Sequence, residues 1–469
     1  MPFSQIPFIA LASILLGGII FVSMLAFSIM SIQEEAYQAA KWALALAFLL
    51  PLPWLAAGLI DYKLHTTISF PLLGLTMLVL LFLMLPIGNT FKPADDTPKT
   101  RVDERDIMFS RNNLKKGSDR FNEYYDRHPE LKILDDKFRS QPGLMQKGAA
   151  YYDPITSATA NASFKTVGAF HVLLDDENLP TPAKQVDPVH MTHFIKQWLK
   201  GVGAVSVGVT ELMDYHLYHT IGRGDRYGQP VDLNHKYGIA LTVEMNKYLL
   251  DRAPGGPTVM ESAQEYLNSG AMAVQLAEFI RQFGYSARAH IDGSYRVVCP
   301  LVGRDAGLGE IGRMGLLMTP ELGPRVRLAV VTTDLPLIPN GRKRDDTVFD
   351  FCRLCKKCAD VCPGSAISFD DREEIDGALR WQINSEACFT YWCKVGTDCG
   401  RCMSVCPYSH PNNAMHNVVR FTLKRSALFR LIALKMDDLF YGRKPAPLHI
   451  PDWIKNVAEI PSELDEPGS

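Results

Sequence analysis

The feature that most constrains this chain is a run of cysteines between Cys352 and Pro407. The first part has the spacing C-x2-C-x2-C-x3-C-P, and the second part ends in another Cys-Pro pair. Such short spacings let one loop supply three thiolates to the corners of an iron–sulfur cube. The pattern therefore predicts two [4Fe–4S] clusters, with the ligands Cys352, Cys355, Cys358, Cys362, Cys388, Cys399, Cys402 and Cys406.

In two-cluster proteins of this type the fourth cysteine of each motif binds the other cluster. Cys406 should then complete the first cluster, and Cys362 should complete the second. A zinc ribbon or a disulfide framework is the alternative, but zinc sites use pairs of cysteines rather than interleaved quartets. Cys393 could replace Cys388 as a ligand. Cys299 stands alone in an apolar stretch, and we expect it to be a small buried side chain.

Length and charge set broad limits on the chain. Its 469 residues indicate more than one domain. The formal net charge of −2 gives no sign of nucleic-acid binding. Because the motifs use most of the 10 cysteines, no disulfide framework is left, which favours reducing, cytoplasmic surroundings.

Three uncharged segments lie near the N-terminus, at residues 6–32, 42–60 and 66–91. Each reaches roughly the 20 apolar residues needed to cross a bilayer, so we predict three transmembrane helices within residues 1–91 rather than a signal peptide or core helices. Basic residues follow the third segment, namely Lys92, Lys99, Arg101, Arg105 and Arg111. By the positive-inside rule they place the C-terminal part in the cytoplasm. The membrane would then be a bacterial inner membrane, and its lipids would be partners of the protein.

The rest of the chain divides into four predicted regions: a linker and N-terminal soluble region at 92–180, an α/β domain at 181–345, a ferredoxin-like cluster domain at 346–410, and a C-terminal helical segment and tail at 411–469. A long amphipathic helix is predicted at 258–283. Strands are predicted at 204–209, 237–244, 286–290, 295–299 and 326–332. Strands interleaved with helices are typical of an α/β fold.

Residues 307–312 match the pattern G-x-G-x-x-G. A dinucleotide site would need a preceding strand and a helix that begins in the motif. Gly315 and the pair Thr319-Pro320 interrupt such a helix early. We therefore interpret the motif as a glycine loop whose backbone approaches another large ligand.

Several stretches carry a family likeness: AGLGEIGRMGLL at 306–317, GPRVR at 323–327, TDLPL at 333–337, both cysteine motifs, and the tail from HPNN at 410–413 to KMDDLF at 435–440. In these stretches the chain resembles the reductive dehalogenases, corrinoid iron–sulfur enzymes related to epoxyqueuosine reductase. The resemblance covers roughly residues 101–442, and a dicluster ferredoxin alone would carry neither the glycine loop nor the tail.

The resemblance implies a nitroreductase-like α/β domain that holds base-off cobalamin beside the dicluster domain. It implies corrin contacts from the glycine loop, at Gly307, Gly309, Gly312, Arg313 and Gly315. The family's proton donor falls on Tyr266 and its basic partner on Arg325, while Ser262 is placed to touch substrate or halide. Where many members have asparagine, this chain has Asp292, whose carboxylate could act as a second acid.

The activity that the resemblance implies is reductive dehalogenation, R–X + 2e⁻ + H⁺ → R–H + X⁻. It needs an organohalide and an external electron donor, whether a ferredoxin, a flavoprotein or a quinone-linked protein. Two alternatives stay open: a corrinoid reductase acting on an epoxide or other substrate, and a membrane-anchored dicluster electron carrier. Exported respiratory members begin with a twin-arginine signal and use a separate anchor. This chain starts with apolar spans of its own, which favours a catabolic or detoxifying role.

Overall fold

The computed structural model describes residues 8–59, 62–85, 95–175 and 179–455. Lys92 and the end of the third predicted span lie outside these ranges. In chain order the helices are α1 Phe8–Gln33, α2 Tyr37–Leu49, α3 Leu52–Leu59, α4 Tyr62–Met84, α5 Met108–Asn112, α6 Asp119–Arg127, α7 Pro129–Arg139, α8 Pro154–Ala169, α9 Pro188–Gly201, α10 Lys247–Leu250, α11 Gly256–Arg281, α12 Cys299–Asp305, α13 Asp346–Cys355, α14 Lys357–Asp360, α15 Ser385–Val395, α16 Arg401–Ser404, α17 Ala414–Arg425, α18 Ala427–Tyr441 and α19 Asp452–Lys455.

The strands are short, and four of them form the main sheet. They are β1 Ser206–Glu211, β2 Tyr237–Glu244, β3 Ala287–His290, β4 Glu310–Ile311, β5 Leu317–Met318, β6 Val326–Thr333, β7 Glu373–Ile375 and β8 Ala378–Arg380. The main sheet has the order β1-β2-β6-β3, and every neighbouring pair is antiparallel. The mixture of helices and sheet is confirmed. The pairing is not the parallel arrangement that interleaved strands and helices typically indicate.

One strand prediction is wrong. Residues 295–299 form no strand, because Cys299 and Pro300 open α12 and only Val297 makes a single bridge, to Leu217. Proline fits the first turn of a helix, where its missing N–H would have no partner anyway. The other four predicted strands and the long helix lie within a few residues of their predicted positions.

The main sheet is buried on both faces. On one face Ile239 and Leu241 of β2 pack in a core with Ala273 and Ala277 of α11. On the other face Ala240 of β2 packs with Val302 of α12 and its neighbours. This alternation follows from the two-residue period of a strand. The shared core packs α11 against this face of the sheet.

Gly208→Ala is expected to lower the apparent melting temperature. A Cβ at Gly208 of β1 would lie 2.2 Å from the carbonyl oxygen of Ala306 and 2.9 Å from Leu308 Cδ2. Forcing a methyl group into such a contact costs about 1–3 kcal/mol. Thermal unfolding followed by circular dichroism measures the effect. Gly168→Ala is the control, because nothing lies within 4 Å of its added Cβ. An equal loss at both positions would contradict this packing argument.

The chain divides into two compact units, residues 1–91 with 412–445, and residues 92–411 with 446–469. In the first unit the C-terminal helices pack with the N-terminal apolar helices. Phe27 of α1 contacts Phe440 of α18 with ring centroids 5.3 Å apart, and Gln38 Nε2 donates to the carbonyl oxygen of Leu439 at 2.9 Å. The predicted C-terminal segment is therefore split between the two units.

The apolar helices differ from the predicted spans in number. Among the described residues, Phe8–Gln33 and Tyr37–Leu59 are long and apolar enough to cross a membrane, judged by length and composition. The third candidate, Thr67–Leu83 within α4, is a shorter apolar helix. Two of the three predicted spans thus pass the test of length and composition among the described residues, and the third, whose end lies outside those residues, stays a prediction.

Candidate functional site

The charges of the eight motif cysteines act mostly within two predicted groups of four. Burial raises the pKa of Cys406 well above its usual value, and so do the charges of Cys352 and Cys355. Burial also raises the pKa of Cys388 to about 12, helped by Cys399 and Cys362. The first predicted group is Cys352, Cys355, Cys358 and Cys406, and the second is Cys362, Cys388, Cys399 and Cys402. Cys358 of the first group also raises the pKa of Cys402 in the second, so the two groups adjoin, and the assignment of each thiol to a cluster stays a prediction.

The donor set fits iron–sulfur clusters better than the alternatives. None of the ten cysteines forms a disulfide. Eight cysteines in two interleaved motifs are the donor set of two four-iron cubes, whereas a zinc site needs a single set of four ligands.

Cys393 lies apart from both groups. It is buried in a small core with Met108, Phe138 and Phe389. Burial alone raises the pKa of its thiol to about 11, and no other thiol contributes. Its place in this small core favours Cys388 over Cys393 as the cluster ligand, which stays a prediction.

Tyr266 lies on the wall of an apolar cavity of about 210 Å³. Gly255 and Pro257 start α11, and the helix carries Ser262 and Tyr266 four residues apart on one face. The cavity is lined by Tyr218, Tyr266, Tyr295, Val297, Cys299, Pro300, Leu316, Leu317, Pro324, Val326, Arg327 and Leu328. Three phenol groups and one guanidinium are thus the polar groups around a small apolar space.

Arg327 is the cation that contacts Tyr266. Its guanidinium carbon Cζ lies 4.7 Å from the centre of the Tyr266 ring. The same guanidinium donates to Asp398 Oδ2 at 3.1 Å and to the hydroxyl of Ser262. Asp398 directly precedes Cys399, so one ion pair joins the tyrosine site to a predicted cluster ligand.

The environment of Tyr266 keeps its hydroxyl protonated. Burial raises the pKa of Tyr266, the Arg327 guanidinium lowers it, and the Asp292 carboxylate raises it. The balance leaves the pKa above that of a free tyrosine. A phenol that holds its proton at neutral pH can donate it to a basic carbon at close range.

The predicted site residues are only partly brought together. Burial raises the pKa of Asp292, and the charge of this carboxylate raises the pKa of Tyr266. Ser262 is fully buried and accepts from Arg327, so it supports Arg327 rather than opening onto the cavity. Arg325 lies elsewhere: it pairs with Glu244 and donates to the carbonyl oxygen of Ser409 at 3.0 Å.

Sequence reasoning missed Arg327, Asp398, Tyr218 and Tyr295. Arg327 had a signal, since it stands two residues after Arg325 in the same stretch. Arg325 precedes β6 and its N–H closes a turn on Leu322, whereas Arg327 lies inside the strand. No pattern singled out the two tyrosines.

The glycine loop packs mainly against the protein itself. A Cβ at Gly309 would lie 2.1 Å from the carbonyl oxygen of Met318, and one at Gly307 would lie 2.8 Å from that of Gly341. An added Cβ at Gly312 would meet Met318, and Gly315 faces Ile383 at 3.7 Å. Close backbone packing accounts for Gly307 and Gly309, whereas Gly312 meets a side chain and Gly315 has only an ordinary van der Waals contact. Corrin contacts from this loop stay a prediction.

Comparison with known proteins supports the cluster module first. Residues 351–410 match a family model described as a 4Fe-4S dicluster domain. The match covers the whole cysteine run and confirms the prediction of an iron–sulfur module.

Curated relatives extend the likeness beyond the cysteines. A tetrachloroethene reductive dehalogenase of Sulfurospirillum multivorans is 32% identical over 299 residues, which cover 56% of this chain and 59% of that protein. One from Desulfitobacterium hafniense is 37% identical over 198 residues, 39% of this chain and 35% of that protein. The chain thus spans less than two thirds of the length of either relative.

A solved structure agrees in fold. A reductive dehalogenase structure, described as suggesting a mechanism for B12-dependent dehalogenation, matches with a TM-score of 0.60 and 24% identity. The match covers 78% of this chain and 51% of that chain. At this identity the match shows a shared fold, and the sequence matches show the relationship. The chain is therefore homologous to the reductive dehalogenases, the family predicted from its motifs.

Proposed function

We propose that this protein is a cobalamin-dependent reductive dehalogenase, which replaces the halogen of an organohalide with hydrogen. The observation that carries the proposal is the Tyr266–Arg327 pair, set in an apolar cavity and joined through Asp398 to a group of four thiols. A proton donor, a water-poor pocket and an electron path are what this reaction requires of a protein.

The cavity fits the substrate rather than the whole corrinoid. Its volume of about 210 Å³ is smaller than the roughly 300–1,000 Å³ typical of larger-ligand pockets. Arg327 lines the cavity, and its Nε is a buried donor without a hydrogen-bond partner among the described residues. We assign the cavity to the reacting end of the site, and we propose a base-off corrinoid in a nitroreductase-like domain from the family resemblance alone.

Each residue has a proposed task in R–X + 2e⁻ + H⁺ → R–H + X⁻. A bound corrinoid would supply the strongly reducing cobalt at which the carbon–halogen bond breaks. Tyr266 holds the proton that replaces the halide on carbon. Arg327 positions the phenol and offsets the pKa increase that burial causes. The two thiol groups hold the clusters that deliver both electrons from an external ferredoxin, flavoprotein or quinone-linked donor.

Metal content is the first test of this function. Anaerobically purified and reconstituted protein should hold about one cobalt and eight irons per chain, the iron count of two four-iron clusters. Halide release from a panel of organohalides should then be measured. Eight irons without corrinoid, even after reconstitution, would favour a dicluster electron carrier. Bound corrinoid together with epoxide reduction, but without halide release, would favour a corrinoid reductase that acts on an epoxide or other substrate.

We also propose that the N-terminal apolar helices anchor the protein in the bacterial cytoplasmic membrane, with the catalytic unit in the cytoplasm. The length of α1, the apolar stretch Tyr37–Leu59 and the basic residues near Arg101 support this location. The protein should stay in the membrane pellet after carbonate washing. Protease should cleave near Arg101 in inverted vesicles but not in spheroplasts, and the reverse pattern would overturn the orientation.

Arg327→Met is expected to lower the rate of halide release by about tenfold, because the phenol becomes a weaker acid without the cation. The alkaline limb of the pH–rate profile should move to higher pH, since Arg327 lowers the pKa of Tyr266. Arg325→Met is the matched comparison, and rates are expressed per fully loaded protein. A larger loss of rate per loaded protein in Arg325→Met would show that Arg325, and not Arg327, is the basic partner of Tyr266.

A further inference from the structure

Arg313, which the family resemblance suggests as a corrin contact, is a fully buried cation with no task in the proposed dehalogenation. It lies in the hairpin between β4 and β5. Its Nε donates to the carbonyl oxygen of Cys352 at 3.0 Å, and its Nη1 donates to the carbonyl oxygens of Ser368 and Asp370 at 2.7 and 2.6 Å. Nη2 has no hydrogen-bond partner among the described residues. A buried guanidinium is costly to leave incompletely paired, so this donor needs an explanation.

The surroundings of Arg313 are the first thiol group. The Arg313 side chain donates to the Cys352 carbonyl oxygen at 3.0 Å, so it contacts the segment that carries the first thiol of this group. A Cβ at Gly312 would lie 3.6 Å from Cys352 Sγ, so the hairpin lies directly against this thiol. The Trp381 ring covers the guanidinium, with its centroid 4.7 Å from Cζ.

We propose that Arg313 contacts the iron–sulfur cluster held by Cys352, Cys355, Cys358 and Cys406, and that Nη2 donates its N–H to a cluster sulfur. One-electron reduction by a low-potential donor adds one negative charge to the cluster. A buried cation and an N–H···S hydrogen bond stabilise that added charge, so Arg313 raises the reduction potential of this cluster.

The effect should be confined to one cluster. The second group has its own cation, Arg401, whose backbone N–H and charge both act on Cys399. The same hairpin continues to Leu316 and Leu317 on the cavity wall. The ligands of the first cluster contact this hairpin, and the hairpin reaches the candidate active site. Arg313 therefore sets the reduction potential of that cluster.

The test is a potentiometric titration of the reduced clusters followed by EPR, on the full-length protein with its iron content measured. Arg313→Met should make the potential of one cluster more negative and leave the other unchanged. Arg313→Lys should shift the same cluster by less, because lysine keeps the charge but lacks Nη2. Arg372→Met is the control: Arg372 packs on the same Trp381 ring, 5.8 Å from its centroid, but its charge is not among those that act on Cys352 or Cys358. It should move neither potential.

Unchanged potentials in either fully loaded Arg313 variant would overturn the proposal, and so would an equal shift of both clusters. Where Arg313→Met fails to retain iron, Arg313→Lys decides. Loss of iron from both variants would leave Arg313 a purely structural role and would also overturn it. The measurement needs the clusters but neither corrinoid nor organohalide, so its failure is distinguishable from failure of the proposed dehalogenation.

Discussion

Tyr266→Phe is expected to lower the rate of halide release by about 10²–10⁴-fold, the range that a positioned general acid contributes. The substitution removes only the hydroxyl. The ring that packs 6.0 Å from Phe164 and lies under Arg327 stays in place. Iron and corrinoid content should therefore be unchanged. Single-turnover halide release from protein with measured metal content checks the result without interference from the electron donor.

Two other tyrosines on the same cavity give the matched controls. Tyr218 and Tyr295 line the cavity with Tyr266, and burial raises the pKa of each. The basic group beside Tyr266 is Arg327, which contacts its ring directly. Tyr218→Phe and Tyr295→Phe should each reduce the rate far less than Tyr266→Phe. Equal losses of rate in all three variants would mean that the reaction depends on the polarity of the cavity and not on one proton donor.

The choice between Arg325 and Arg327 shows how far a motif can locate a site. Both arginines lie in one five-residue stretch that the sequence identified. Which one reaches Tyr266 depends on where β6 begins, and element boundaries are the least predictable part of a fold. Because Arg325 lies in the turn before the strand, its side chain contacts Glu244 and Ser409 instead of Tyr266.

Local spacing predicted what depends on local geometry. The spacing of the cysteines predicted an iron–sulfur module, and the match of residues 351–410 to a 4Fe-4S dicluster domain confirms it. The assignment of each thiol to a cluster stays a prediction. The core strands were predicted because β-branched and apolar runs such as Tyr237–Glu244 have a clear pattern. Tertiary contacts were not predictable in this way. Nothing in the sequence of α18 indicated that Phe440 would pack on Phe27 of α1, about 400 residues earlier in the chain.

Cys388→Ala and Cys393→Ala are expected to differ sharply although the two cysteines are five residues apart. Cys388→Ala should lose about four of eight irons and all dehalogenation, because its group would keep only three thiolates. Cys393→Ala should keep all the iron and lose at most a little stability, since Cys393 packs against Phe138 and Phe389. Iron and sulfide analysis with EPR of the reduced protein separates the two results.

Cys406→Ala extends the test: it should damage the cluster of Cys352 and leave that of Cys399 intact. Damage to the Cys399 cluster instead would show that the motifs do not cross, and iron loss in Cys393→Ala would restore that cysteine as a ligand.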